Sequence, residues 1–183
     1  MFLSAERSVL VVVDVQQRLA PAMPALDRVL ARLDLLLTTA AATGVPVILT
    51  EQYPKGLGHT LPAVAQAAPG AMVVEKTAFG ACGEPAFVDA VRGSGRDLAV
   101  VCGMEAHVCV LQTALGLSAA GVETVLLRDA CASRRDVDHD TAMTRATAAG
   151  VTVATTEMAV FEWLARADTA AFKAIQPKIK ALA

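Results

Sequence analysis

The chain has 183 residues, which is enough for a single domain (residues 1–183) with a sizeable hydrophobic core. Hydrophobic residues make up 55% of it and the formal net charge is −2, which excludes a disordered chain and argues against a nucleic-acid-binding surface. No apolar stretch approaches the roughly 20 residues of a membrane-spanning helix, so neither a membrane nor a nucleic acid is expected as a partner.

Six short apolar runs predict the strands of a sheet, and helices are predicted between them. The strands are expected at Val9–Val13, Val45–Leu49, Met72–Val74, Leu98–Cys102, Glu123–Leu127 and Val151–Ala154. Helical spacing of apolar residues predicts helices at about 26–42 and 85–92, from the Cys109 region to Gly121, from the polar run 133–140 to about 149, and at 158–165 and 169–182. This alternation predicts an α/β fold: a doubly wound, Rossmann-like three-layer α/β/α sandwich with a mostly parallel six-stranded sheet.

The segment from Asp97 to Ala120 carries the strongest functional signal. Its apolar run Leu98–Cys102 predicts a central strand, and Cys109 then falls in the first turn of the following helix. Open α/β sheets bind ligands at the carboxyl ends of such strands. The free N–H groups of a helix start also favour a thiolate and an oxyanion. Cys109 is therefore a candidate nucleophile, and the alternative is a buried cysteine that only packs.

Two further polar residues lie at predicted strand ends. Asp14 follows the first strand and Lys76 follows the third, and the carboxyl ends of parallel strands meet at one edge of a sheet. If these two residues converge with Cys109, Asp14 would take the thiol proton and Lys76 would hold the negative charges while the thiolate attacks a carbonyl carbon. The alternatives are an aspartate that caps a turn and a solvated lysine.

The Gly- and Pro-rich segment from Thr50 to Pro62 is predicted to be a loop that serves the site. The candidate substrate-contacting residues are Gln16, Gln52, Tyr53, Phe79 and His107. Each has a structural alternative: the glutamines would satisfy loop backbone, the aromatic rings would pack, and the histidine would form a pocket wall or a cap.

Other features narrow the class of protein. Neither a Gly-x-Gly-x-x-Gly segment after the first strand nor a phosphate-binding Walker motif is present, so no cofactor is expected. The four cysteines show no CxxC pair and no metal-ligand spacing, and the N-terminus lacks the pattern of a signal peptide, which predicts a reducing, cytoplasmic setting. Cys82, Cys102 and Cys131 are interpreted as packing residues.

The sequence resembles the isochorismatase-like hydrolase superfamily, in its cysteine hydrolase branch, and is most similar to the isochorismatase domain-containing proteins. The matching segments follow the expected order through nearly the whole chain. They are VVVDVQQRL, TEQYPKGLGHT, EKTAFG, CGMEAHVCVLQTALGL, DACASRRDVDHD and TTEMAVFEWL. Each segment is weak alone, and the combination is specific.

The resemblance implies an Asp–Lys–Cys triad, which maps onto Asp14, Lys76 and Cys109. It also implies a cis peptide bond between Met104 and Glu105, with an oxyanion hole formed by the backbone N–H groups of Glu105 and Cys109. Oligomers are implied as well. Helices rich in Ala and Val, with few aromatic residues, leave apolar faces to cover, so we expect a homo-oligomer, a dimer or larger, with the C-terminal helices or the 53–60 loop contributing.

Three departures from the superfamily's patterns affect the predicted chemistry. Nicotinamidases carry an Asp-x-His metal motif after the second strand, where this chain has Thr50-Glu51-Gln52. The only histidines of the sequence are His59, His107 and His139. No metal is therefore expected. True isochorismatases have Gly at the position of Cys109, which argues against that activity. The common Lys-x-x-Phe-Ser reads as Lys76 to Gly80 here, without the serine.

The sequence thus predicts a cytoplasmic, metal-independent cysteine hydrolase that acts on a small amide-like C–N substrate through a thioester intermediate. One alternative is a hydrolase of nitriles or other electrophiles that uses the same thiolate. A non-enzymatic alternative is a scaffold or interaction protein that keeps the fold.

Overall fold

The computed structural model describes residues 2–182, in which six strands form one sheet. The strands are β1 (Ser8–Val13), β2 (Val47–Gln52), β3 (Met72–Lys76), β4 (Leu98–Met104), β5 (Glu123–Ala132) and β6 (Thr152–Ala154). Their order across the sheet is β3-β2-β1-β4-β5-β6, and all neighbouring pairs are parallel. The predicted doubly wound sheet is confirmed. The order in which strands are added reverses between β1 and β4, and such sheets bind their ligands at that switch point.

Eight α-helices flank the sheet in the described part of the chain. They are α1 (Leu26–Thr43), α2 (Pro54–Leu57), α3 (Pro62–Ala67), α4 (Pro85–Gly93), α5 (Leu111–Ala119), α6 (Asp136–Ala148), α7 (Thr156–Leu164) and α8 (Ala170–Ala181). Helix α1 contacts α3, α7 and α8, while α5 packs against α6, and the result is the predicted three-layer α/β/α arrangement. Within residues 2–182, no helix has both the length and the apolar character needed to cross a bilayer.

The central strands owe their position to unbroken apolar runs. All six residues of β1 and all seven of β4 are buried, and burial of each Val or Leu side chain contributes about 1.5–3 kcal/mol. The edge strand β3 differs, because Met72 and Val73 are both more than half exposed. The two strands that end beside Asp14 and Cys109 are therefore the most deeply enclosed part of the sheet.

Three strands extend further into polar sequence than predicted. Strand β2 runs from Val47 to Gln52 rather than from Val45 to Leu49, β3 continues to Lys76, and β5 continues to Ala132. The polar end of β2 stays in the sheet because its side chains have buried partners: Thr50 donates to Asp14, and Glu51 accepts from Thr60. The segment expected as a loop is likewise occupied by the end of β2, the short helix α2 and the start of α3.

Gly103 is required where β4 passes the end of β1. Its φ is +121°, and a Cβ atom there would lie 2.1 Å from the carbonyl oxygen of Val13. We expect Gly103→Ala to lower the free energy of unfolding by about 2–4 kcal/mol, because backbone strain and overpacking add. Gly93, at the end of α4, is a matched control since a Cβ there meets nothing within 4 Å. Urea denaturation of both variants tests this, and equal stability of the two would contradict it.

Candidate active site

The four strands β3, β2, β1 and β4 lie side by side and end at one edge of the sheet. Lys76 ends β3, Gln52 ends β2, and Asp14 directly follows β1. Cys109 lies in a single π-helical turn, Ala106–Val110, between β4 and α5. The topology thus brings a lysine, a glutamine, an aspartate and a cysteine to one place from distant parts of the sequence.

Asp14 and Lys76 form an ion pair in which both side chains are fully enclosed. Lys76 Nζ lies 2.8 Å from Asp14 Oδ2, and Thr50 Oγ1 donates to Asp14 Oδ1 at 2.6 Å. The 2.8 Å contact is close but poorly aligned for a hydrogen bond, so Oδ2 accepts none from the residues of 2–182. Asp14 therefore keeps one buried carboxylate oxygen able to accept a proton. The turn-cap alternative for Asp14 is wrong, since its carboxylate oxygens face the Thr50 hydroxyl and the Lys76 ammonium. The alternative of a solvated Lys76 is also wrong, since this residue is only 2% exposed.

The Lys76 ammonium is held on its other sides by neutral oxygens. It donates to Gln52 Oε1 at 2.6 Å, to the carbonyl of Phe79 at 3.0 Å and to that of Ala78 at 3.3 Å. These acceptors partly replace the water that the buried ammonium has lost. Lys76 is thus fixed as a positive charge beside Asp14.

Cys109 is 6% exposed, and its Sγ lies 4.0 Å from Gln52 Oε1. Burial, and after it the charge of the Asp14 carboxylate, raise the pKa of the thiol to about 12, while the Lys76 ammonium acts in the opposite direction. Desolvation and the Asp14 carboxylate thus work against the thiolate that a helix start favours. The resting group is a thiol, and it must lose its proton as it reacts.

Glu105 lies between β4 and the π-helical turn, and the peptide bond between Met104 and Glu105 is cis. Its carbonyl accepts from the N–H groups of Val108 and Val110. Its own N–H donates to no acceptor in the described part of the chain. A free backbone donor is thus present in the segment that leads to Cys109.

Gln16 and Gln52 have different surroundings. Gln16 is fully buried, and its Nε2 donates to the carbonyls of Gln52 and Gly58 at 3.0 and 2.6 Å while its Oε1 accepts from the Gln52 N–H. Gln16 therefore has the structural role given above as the alternative, in which a glutamine satisfies backbone groups of a loop. Gln52 instead turns its Oε1 to Lys76 and its Nε2 to the carbonyl of Thr77, so it belongs to the charged cluster.

The remaining candidates are two exposed aromatic residues, Tyr53 and Phe79, and a histidine, His107, that contacts other side chains. The side chains of Tyr53 and Phe79 are 54% and 57% exposed, so neither is simply a core packing residue. His107 Nδ1 lies 3.0 Å from Ser133 Oγ, and Nε2 lies 3.9 Å from Asp138 Oδ2. Both ring nitrogens face side chains before and at the start of α6, so the ring joins the turn that carries Cys109 to that segment.

Sequence reasoning did not identify Thr50 and Glu51. Thr50 fixes one carboxylate oxygen of Asp14, and Glu51 fastens the segment after β2: its Oε1 accepts from the Thr60 N–H at 2.6 Å, and its Oε2 lies 2.9 Å from His59 Nδ1. The signal in the sequence is the run of polar residues Thr50-Glu51-Gln52 directly after the predicted strand. No three His, Cys, Asp or Glu side chains among residues 2–182 are placed to hold a metal ion.

The His59–Glu51 contact predicts a pH dependence. The hydrogen bond with Glu51, and then its charge, raise the pKa of His59 above 6.5. Burial raises the pKa of Glu51, but hydrogen bonds from Thr60 and His59 outweigh it and bring the pKa below 4.5. The contribution of protonated His59 to the stability of this segment is therefore lost as the pH rises through its raised pKa. The contribution of ionised Glu51 is lost as the pH falls through its lowered pKa. In an NMR titration we expect Glu51→Gln to lower the His59 pKa more than Glu75→Gln does. An unchanged His59 pKa in Glu51→Gln would refute this.

A cavity of about 570 Å³ lies away from these residues, at the amino edge of the sheet between α1, α3 and α4. Its lining is mainly Ala, Val, Leu and Pro, and it shares no residue with the charged cluster. Size alone would favour this cavity as a ligand site, but the groups that can do chemistry are at the carboxyl edge.

The fold and the site define a doubly wound α/β protein with a buried Asp–Lys–Cys cluster at the switch point of a parallel sheet. The Isochorismatase domain model matches residues 8–158. The chain therefore belongs to the isochorismatase-like hydrolase family, as the sequence resemblance predicted.

Individual relatives agree with this assignment. Isochorismatase domain-containing protein 2A of Mus musculus is 35% identical over 176 residues, which cover 96% of this chain and 84% of the relative. The structure of MAR1 ribonuclease from Caenorhabditis elegans superimposes with a TM-score of 0.92 at 31% identity, covering 98% of this chain and 93% of that one. YcaC from Pseudomonas aeruginosa, solved with hexane-2,5-diol and covalent acrylamide, has a TM-score of 0.92, 24% identity, and coverage of 99% and 93%. This last similarity shows the fold alone.

Proposed function

We propose that this chain is a metal-independent cysteine hydrolase that acts on a small amide-like C–N substrate through a thioester on Cys109. The observation that carries the proposal is the buried Asp14–Lys76 ion pair, in which Asp14 Oδ2 accepts no hydrogen bond among residues 2–182, beside Cys109, whose thiol pKa is raised to about 12. A buried carboxylate with an open acceptor position is a base ready for a neighbouring proton.

Acylation would begin with a proton transfer from Cys109 to Asp14. As Sγ loses its proton to Oδ2, it bonds to the substrate carbonyl carbon, and the carbonyl electron pair moves to oxygen. The backbone N–H groups of Glu105 and Cys109 would hold that oxyanion. When the C–N bond breaks, the nitrogen takes its electron pair together with the proton from Asp14, and ammonia or an amine leaves.

Deacylation would reverse these roles with water. Asp14 takes a proton from a water molecule as its oxygen attacks the thioester carbon. The C–S bond then breaks, Sγ recovers a proton from Asp14, and the carboxylic acid leaves. Lys76 holds the Asp14 carboxylate in position through the ion pair before each of these proton transfers, which gives the buried ammonium a role.

The proposal also covers the cellular location and the oligomeric state of the protein. The four cysteines are free thiols, which fits a reducing, cytoplasmic location. Met72 and Val73 on β3, and Met158 and Phe161 on α7, are exposed apolar side chains, and we propose that a homo-oligomer covers some of them. The partner at the site is a small molecule, and neither a membrane nor a nucleic acid is required.

Ammonia release from a panel of small amides tests the proposal. The panel includes acrylamide, which is covalently bound in the YcaC structure, and it is run with and without a chelator, with Cys109→Ala as the blank. We expect turnover of at least one amide, unaffected by the chelator and absent from the blank. A parallel nitrile arm tests the alternative electrophile, and single-stranded RNA tests the activity by which the C. elegans structure is described. Turnover lost to the chelator, or the absence of any Cys109-dependent turnover, would overturn the proposal.

A further inference from the structure

The segment between β5 and α6 contacts the residues on the amino side of Cys109. The Glu105 carboxylate oxygen Oε2 accepts two hydrogen bonds from one residue: from the backbone N–H of Arg134 at 3.2 Å and from its Nε at 2.9 Å. The Glu105 side chain is 9% exposed, whereas that of Arg134 is 62% exposed. A buried carboxylate beside the nucleophile-bearing turn is thus held by an arginine that reaches in from the surface.

We propose that Arg134, acting through Glu105, is a positioning residue for the oxyanion site. The inference rests on the proposed function, in which the Glu105 N–H stabilises the oxyanion. The backbone and side chain of Glu105 are joined at one Cα, so the Arg134 clamp on the carboxylate restrains the direction in which the free N–H points. A donor fixed before the reaction stabilises developing charge better than a donor that must reorient.

The neighbouring contacts show why Arg134 rather than Arg135 has this role. Arg135 pairs with Asp138, its Nε lying 2.7 Å from Oδ2, and its side chain is 73% exposed. It makes no hydrogen bond to Glu105. Two adjacent arginines of similar exposure therefore differ in one respect that matters here, the contact with Glu105.

The experiment uses two reactions of the same thiol. Hydrolysis of p-nitrophenyl acetate passes through an oxyanion, whereas alkylation of Cys109 by iodoacetamide does not. We expect Arg134→Ala to lower kcat about three- to tenfold, since one charged hydrogen bond from an exposed arginine is lost while the backbone N–H of residue 134 still donates to Glu105. KM and the peptide-resolved rate of Cys109 alkylation should stay at wild-type values. Glu105→Gln should behave in the same way, Arg134→Lys should restore part of kcat, and Arg135→Ala should leave all three quantities unchanged.

The outcomes separate the clamp from the proposed function. If kcat and Cys109 alkylation fall together in Arg134→Ala, the residue supports the turn in general and the inference is wrong. Equal kcat values for Arg134→Ala and Arg135→Ala would also overturn it, while leaving the cysteine mechanism intact. If the wild-type chain hydrolyses the ester no faster than Cys109→Ala, the proposed function fails, and the inference falls with it.

Discussion

Cys109→Ala is expected to remove turnover by about three or more orders of magnitude while the protein still folds. The rate should fall this far because a nucleophile and its base act as one unit, so loss of the nucleophile removes the whole covalent route. Folding should survive because the change removes one sulfur atom from a turn next to α5, a loss of packing worth about 1 kcal/mol. The measurement is kcat/KM on the best amide of the panel, with the thermal midpoint recorded in parallel.

Cys82→Ala is the matched control for that variant. Cys82 is a half-buried free cysteine whose Sγ faces the carbonyl of Thr113 at 3.8 Å, away from the Asp14–Lys76 pair. The same substitution there should leave kcat/KM within a factor of about two, in keeping with a residue that only packs. Comparable activity in Cys109→Ala and Cys82→Ala would exclude a thioester mechanism on Cys109.

Lys76→Met is expected to lose both turnover and stability. The substitution leaves the Asp14 carboxylate buried without its positive partner, and breaking a buried pair in this way costs about 3–5 kcal/mol of the free energy of unfolding. Adding Asp14→Asn removes the stranded charge, so the double variant should regain part of the stability and none of the activity. Asn is the appropriate replacement, because Asp14 has a φ of +53°, a region that Asn tolerates.

Urea denaturation of the wild type, Lys76→Met, Asp14→Asn and the double variant measures the coupling energy between the two residues. If the coupling is favourable, the double variant should lose less free energy of unfolding than the two single variants lose together. Simple additivity of the two losses would mean that Asp14 and Lys76 do not interact, contrary to the 2.8 Å contact between them.

The sheet could be predicted from the sequence because its centre is made of unbroken apolar runs. Val9–Val13 and Leu98–Cys102 lie fully within β1 and β4, whose residues are all buried. The polar carboxyl ends were harder to predict, since hydrophobic pattern assigns Thr50 and Gln52 to a loop. In the structure, side-chain hydrogen bonds keep both in β2, and such partners lie too far apart in sequence to be recognised.

The residues of the candidate site could be predicted from the sequence, but their electrostatic interactions could not. Because parallel strand ends meet at one edge, Asp14, Lys76 and Cys109 could be grouped from their positions alone. The ionisation state of the thiol could not, because it depends on how much water burial removes and on the distance to each charge. The contact between Glu105 and Arg134, 29 residues apart in sequence, was equally invisible.

The most direct test of the cysteine mechanism is to trap its intermediate. The wild-type chain is mixed with p-nitrophenyl acetate, quenched in acid within the first turnovers, digested and mapped by mass spectrometry. We expect one acetyl group on the peptide that contains Cys109, its formation slowed in Asp14→Asn and absent in Cys109→Ala. Continued ester turnover with no acyl group on Cys109, or with the acyl group on another residue, would contradict the mechanism.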